Sequence, residues 1–140
     1  MKFFRTFEYL PAAAKDIRQE VFVSEQGFEE EFDDVDGAAR HIVMYDDDGK
    51  PITVCRYFWD ENAQAYAVGR IAVLKRARGR GCGAAILREA ERQVAAMGGR
   101  RVVLAAQVRA KGFYQKQGYE VCSGEFYEEF CPHVYMCKQI

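Results

Sequence analysis

The sequence predicts a mixed α/β fold, a central sheet of about six to seven strands flanked by about four helices. Three observations predict it. Strand-length apolar runs near both ends of the chain bracket a middle in which strand, helix and strand alternate. Between two of those runs lies a long segment whose apolar residues Ile86, Leu87, Ala90, Val94 and Met97 repeat at helical spacing. The length of 140 residues suits one domain over residues 1–140 with one sizeable core.

Alternation over residues 2–7 predicts a first strand. Pro11, well placed for a helix start, opens a helix to about residue 22 with Ile17 and Val21 on one face. The acidic stretch beyond Gly27 reads as loop or short helix. Strands at Arg40–Tyr45 and 51–59 form a hairpin around Asp46-Asp47-Asp48-Gly49-Lys50. A strand over 65–74 runs into a glycine-rich turn and the long helix, which Gly98-Gly99 ends. Residues 101–106 are a continuous apolar strand, suited to burial on both faces, and a short helix over 110–117 stops at Gly118. Two last strands fall near 119–126 and 134–138.

With 49% hydrophobic and 29% charged residues and only three prolines, the composition excludes a disordered or fibrous chain. No apolar run approaches the roughly 18 residues that span a bilayer, so no membrane partner is expected and a cytoplasmic location is. Five cysteines without a C-x-x-C pair, and only two histidines, predict reduced thiols and no metal site. The net charge of −1 hides an asymmetry. Residues 25–36 hold seven acids and no base, and residues 62–88 hold six bases and no acid. The basic stretch is too short for duplex binding, so no nucleic-acid partner is expected; a nucleic-acid role would show as binding that weakens steeply with salt.

Strand, Arg78-Gly79-Arg80-Gly81-Cys82-Gly83, helix is an arrangement that grips phosphate. Free N–H groups of the first helical turn face the anion, glycines let it approach, and Arg78 and Arg80 add cationic donors. A tight turn with surface arginines is the bland alternative. A Walker loop needs Lys then Ser or Thr after the last glycine, and Ala84-Ala85 follow. A dinucleotide site wants an acid at the end of the next strand, which ends in Ala105-Ala106-Gln107.

Arg78-x-x-Gly81-x-Gly83 resembles the acyl-CoA-binding motif of the GNAT superfamily of N-acetyltransferases. Gln107, Ala110, Phe113, Tyr114, Gly118 and Tyr119 resemble its second signature, Asn-x-x-Ala-x-x-Phe-Tyr-x-x-x-Gly-Phe, with Gln for Asn and Tyr for the last Phe. Together with Val21-Phe22-Val23-Ser24-Glu25-Gln26, Gly124-Glu125-Phe126-x-Glu128 and Pro132-His133-x-x-Met136, they are similar to the small, single-domain ElaA/YjcF-like branch. The resemblance covers nearly the whole chain; Phe130-Cys131 departs from that branch's Gly-Ile.

The resemblance implies the GNAT acyl-CoA N-acyltransferase fold and direct acetyl transfer from acetyl-CoA to a primary amine. It places Ile71, Ala72, Val73, Arg78, Gly79, Arg80, Gly81, Cys82, Gly83, Gln107, Phe113 and Tyr114 at the coenzyme. The Val73 N–H would polarise the thioester carbonyl. Tyr114 would be the general acid; with an ordinary pKa near 10 it faces a gap of about 1.5 units to a thiol. Glu128, His133 and Glu25 are the candidate bases, each also explicable as structural, and water is a further proton carrier. Cys82 lacks a His–Asp pair, so a covalent acyl-cysteine route is not expected. The seven acids imply a small cationic amine as acceptor, with a solvated acidic loop as the bland alternative. A catalytically inactive acyl-CoA-binding sensor is the alternative function, and monomer and homodimer both remain open.

Overall fold

Burial on both faces of the central strands decides the architecture, because such a sheet must be covered by helices on both sides. The computed structural model describes residues 2–140. Strand β1 (Phe3–Phe7) is followed by helix α1 (Ala12–Arg18), and β2 (Arg40–Tyr45) and β3 (Pro51–Asp60) by β4 (Ala65–Val73). Helix α2 (Cys82–Ala96) leads to β5 (Arg101–Gln107), α3 (Lys111–Lys116), β6 (Glu120–Val121), β7 (Phe126–Glu128) and β8 (Cys131–Gln139). The sheet order is β1-β2-β3-β4-β5-β8-β6, with β7 also on β8. β4 and β5 run parallel, and the other pairs are antiparallel.

Side chains alternate across β2, so Ile42 and Met44 meet one layer and Val43 the other. Ile86, Leu87, Ala90 and Val94 of α2 pack beneath Ile42 and Val102, the helical spacing read from the sequence. Each buried Ile, Leu or Val adds roughly 1.5–3 kcal/mol. On the opposite face Ala14 and Ile17 of α1 pack with Val43, Val54 and Ala72.

Three expectations change. The first helix does not stop near residue 22: after α1 the chain widens into a π-helix over Gln19–Glu25, and Gly27, at φ +84°, follows it. The strand expected at 119–126 divides into β6 and β7, both on β8. The five cysteines are not all reduced thiols: Cys122 and Cys137 form a disulfide from β6's end to β8, with Cα atoms 6.2 Å apart. The sequence places these two residues fifteen apart, and only the antiparallel return of the chain brings them together. Cys55, Cys82 and Cys131 are free and buried. No helix among the described residues is long and apolar enough to cross a membrane.

Candidate functional site

The parallel pair that joins the two halves of the sheet is short. β4 and β5 are paired only at Tyr66–Val102 and Ala67–Val103. Beyond Ala67, β4 carries a bulge: Gly69 faces Arg56 and Ala72 faces Val54, so Arg70 and Ile71 together oppose Cys55. Arg70 takes a left-handed conformation, φ +54°, which costs an arginine about 1–3 kcal/mol. A bulge bends its strand and raises its twist, so the two strands open into a slot towards Val73 and Gln107. Sequence reasoning missed the bulge; Gly69, an isolated glycine within a strand pattern, was its available signal.

At the end of β4 the glycine-rich turn feeds α2. Gly79 and Gly81 have φ +78° and +75°, with open space where a Cβ would stand. Gly81 is the N-cap of α2, and no side chain caps the helix there, so its first-turn amides are left for a ligand. Gly83 is there for closeness instead: a Cβ on it would meet Phe113 Cζ at 3.4 Å and Val73 Cγ2 at 3.8 Å. Such a cradle fits a pyrophosphate. Arg80 is exposed, whereas Arg78 is already engaged, donating from Nε to the Val73 carbonyl at 3.0 Å and in a fork to Glu25 at 3.0 and 2.8 Å. Cys82 is buried in the core beside this turn.

The slot opens into a cleft of about 490 Å³, lined along both β4 and β5. Ile71, Gln107, Tyr114, Glu128 and His133 line it, so five of the residues named from the sequence come together there. Ala72 and Val73 serve the helix-packed layers with their side chains, and Phe113 packs against the core. Glu25, a candidate base on the sequence, does not line the cleft.

His133 is buried, and its Nδ1 lies 2.9 Å from the Cys131 carbonyl. A carbonyl only accepts, so Nδ1 carries the proton. Nε2 is then left facing Glu128 Oε2 at 3.4 Å. Burial pushes the Tyr114 hydroxyl up to about 12, with the neighbouring Cys55 adding to it.

Residues 10–140 match the acetyltransferase (GNAT) domain family. The chain belongs to the GNAT acetyltransferase family. It is 39% identical over 125 residues to the uncharacterized N-acetyltransferase YjcF of Bacillus subtilis, covering 87% of each chain. The solved structure of Escherichia coli ElaA superposes with a TM-score of 0.85 at 23% identity, over 99% of each chain. An aminoglycoside 6′-N-acetyltransferase complexed with coenzyme A shares the GNAT fold at a TM-score of 0.73 and 14% identity, over 98% of this chain and 96% of that one.

The structure also relocates this GNAT chain's acidic segment. Arg18 donates to Glu31 at 2.9 Å and to Asp36 at 2.7 and 3.1 Å. Arg56 donates to Asp33 at 2.6 and 3.1 Å and to Asp36 at 2.8 Å, and Arg70 pairs with Glu31 at 3.0 Å and Asp33 at 3.4 Å. Arg18, Arg56, Glu31 and Asp36 are buried. Burial opposes charge on Asp36, but the hydrogen bonds from Arg18 and Arg56 overcome it and hold the carboxyl at about 2. Three of the seven acids are therefore paired with arginines distant in sequence, Glu31 and Asp36 inside the protein and Asp33 at its surface. Sequence order alone does not signal that pairing.

Proposed function

We propose that this GNAT chain transfers an acetyl group from acetyl-CoA directly to a primary amine, and that the amine is small and cationic. The observation that supports the reading is one continuous space: the slot between β4 and β5, beyond which lies an uncapped glycine turn, opens into the cleft lined by Tyr114 and His133.

The turn 78–83 would hold the pyrophosphate through backbone amides, with Arg80 adding charge. Ile71, Ala72, Val73, Gln107 and Phe113 would border the pantetheine arm. When bound, acyl-CoA supplies a thioester whose C–S bond breaks as the C–N bond to the amine forms. The Val73 N–H polarises the carbonyl. Tyr114 gives its proton to the departing sulfur. Against a thiol at its water value the gap is about 3.5 units, or about 5 kcal/mol, larger than the sequence implied. The same desolvated slot raises the thiol too, which narrows it. His133 Nε2, backed by Glu128, takes the proton from the amine nitrogen.

The cationic preference rests on Glu30, Asp60, Glu128 and Glu129, which line the cleft without an arginine or lysine partner among the described pairs. A CoA-release assay over a panel of cationic, neutral and anionic amines tests the proposal. Release with cationic amines is expected, and Tyr114→Phe should lower kcat about 10²-fold with little change in KM for acetyl-CoA. CoA binding without release on any amine would make the chain a sensor instead.

A further inference from the structure

The segment that ends the π-helix touches both walls of the slot. Glu25 grips Arg78, which in turn holds the Val73 carbonyl at the end of β4. The next residue, Gln26, accepts from Gln107 Nε2 at 2.9 Å, at the end of β5. One dipeptide thus ties down the last residue of each strand exactly where their own pairing has been lost.

We propose that Glu25 and Gln26 are positioning residues, a two-point brace that sets the width of the coenzyme slot. This inference rests on the acyl-CoA reading above.

Three features support it. First, π-helices are rare and concentrate at functional sites. Here Glu25 is the last residue of the widened helix and Gln26 its C-cap, while Val21 and Phe22 stay packed in the core. Second, the Glu25–Arg78 pair is exposed, so it adds little to stability, and its value lies in geometry. The Arg78 hydrogen bond keeps the Glu25 carboxyl below its ordinary value, so the pair stays charged at neutral pH. Third, Arg78 spends three of its five N–H groups on Glu25 and Val73. It acts as a stay for the turn, and the backbone amides and Arg80 are left to meet phosphate.

The opposite view, in which Glu25 merely neutralises Arg78, predicts the opposite sign. Without Glu25 a freed guanidinium would attract the pyrophosphate more strongly. Calorimetry with CoA decides between them. Glu25→Ala should weaken CoA binding about tenfold, and Glu25→Gln, which keeps one acceptor for Arg78, should lose less. Gln26→Ala should weaken binding by about threefold, the loss of one neutral hydrogen bond. In steady-state kinetics the KM for acetyl-CoA should rise more than kcat falls, and the urea midpoint should stay where it is. Glu25→Ala added to Arg78→Ala should cost little more than Arg78→Ala alone, because the two act as a unit.

Affinity equal to or tighter than wild type in Glu25→Ala overturns the brace, as does full additivity with Arg78→Ala. A wild-type chain that binds no CoA overturns the functional reading and the brace with it.

Discussion

The turn at residues 78–83 and the acidic segment at residues 29–36 are built on opposite principles. The turn works through backbone: two glycines at positive φ, a third where a Cβ would meet Phe113, and a helix end with no side-chain cap. The acidic segment works through side chains, of which Glu31, Asp33 and Asp36 are paired with Arg18, Arg56 and Arg70 from three other elements. Backbone recognition leaves a local signature. A buried charge network leaves none, since its partners are set by the fold, and a run of acids that looks like a field facing solvent has Glu31 and Asp36 tied into the core.

The sharpest way to break the contrast is to remove one member of the network. Asp36→Asn leaves Arg18 and Arg56 without their shared partner and should cost about 3–5 kcal/mol, measured by urea unfolding. The same carboxylate predicts an acid limb. Its pKa is lowered on folding, so its contribution of about 2 kcal/mol is present above about pH 4 and is lost as pH falls towards 2. Asp36→Asn should flatten that limb, and an unchanged acid limb would remove Asp36 from the account.

A smaller effect is expected at the turn. Gly83→Val presses against Phe113 and Val73 and should weaken CoA binding about 10- to 100-fold, the loss of one charge-assisted hydrogen bond or a little more, with the fold retained by circular dichroism. Wild-type affinity would sink the cradle. The smallest effect belongs to the exposed acids. Glu29→Gln with Glu30→Gln should lower kcat/KM for cationic amines by less than about tenfold at low salt, and the difference should fade at high salt. Glu31 does not belong in that variant, because its side chain is buried in the network.

Much of the fold could be read in advance, for reasons that differ along the chain. The α2 face and the strand at 101–106 were legible because burial there follows local periodicity. The slot between the strands at 65–74 and 101–106 is expected only through the family resemblance that Gly81, Gly83, Phe113 and Tyr114 carry, because it is not a local feature of the residues that line it. The bulge at Arg70, the π-helix at Gln19–Glu25 and the Cys122–Cys137 bond were not legible, because each is imposed by contacts made elsewhere. Glu25 shows the cost: its motif was recognised, yet only the fold reveals that it faces Arg78 rather than the cleft.

The bond between Cys122 and Cys137 closes residues 122–137 into a covalent ring, and that ring contains Glu128, Glu129 and His133. A ring has a topological property that a loop lacks. A single break of the backbone anywhere between the two cysteines opens it but releases no fragment, and both cut ends remain fastened to β8 and β6. One wall of the cleft thus cannot be shed by one nick, whereas the segment at residues 29–36 has no such covalent link and is kept in place by its arginines and by the Glu129 carboxylate, which accepts from the Glu29 and Glu30 amides.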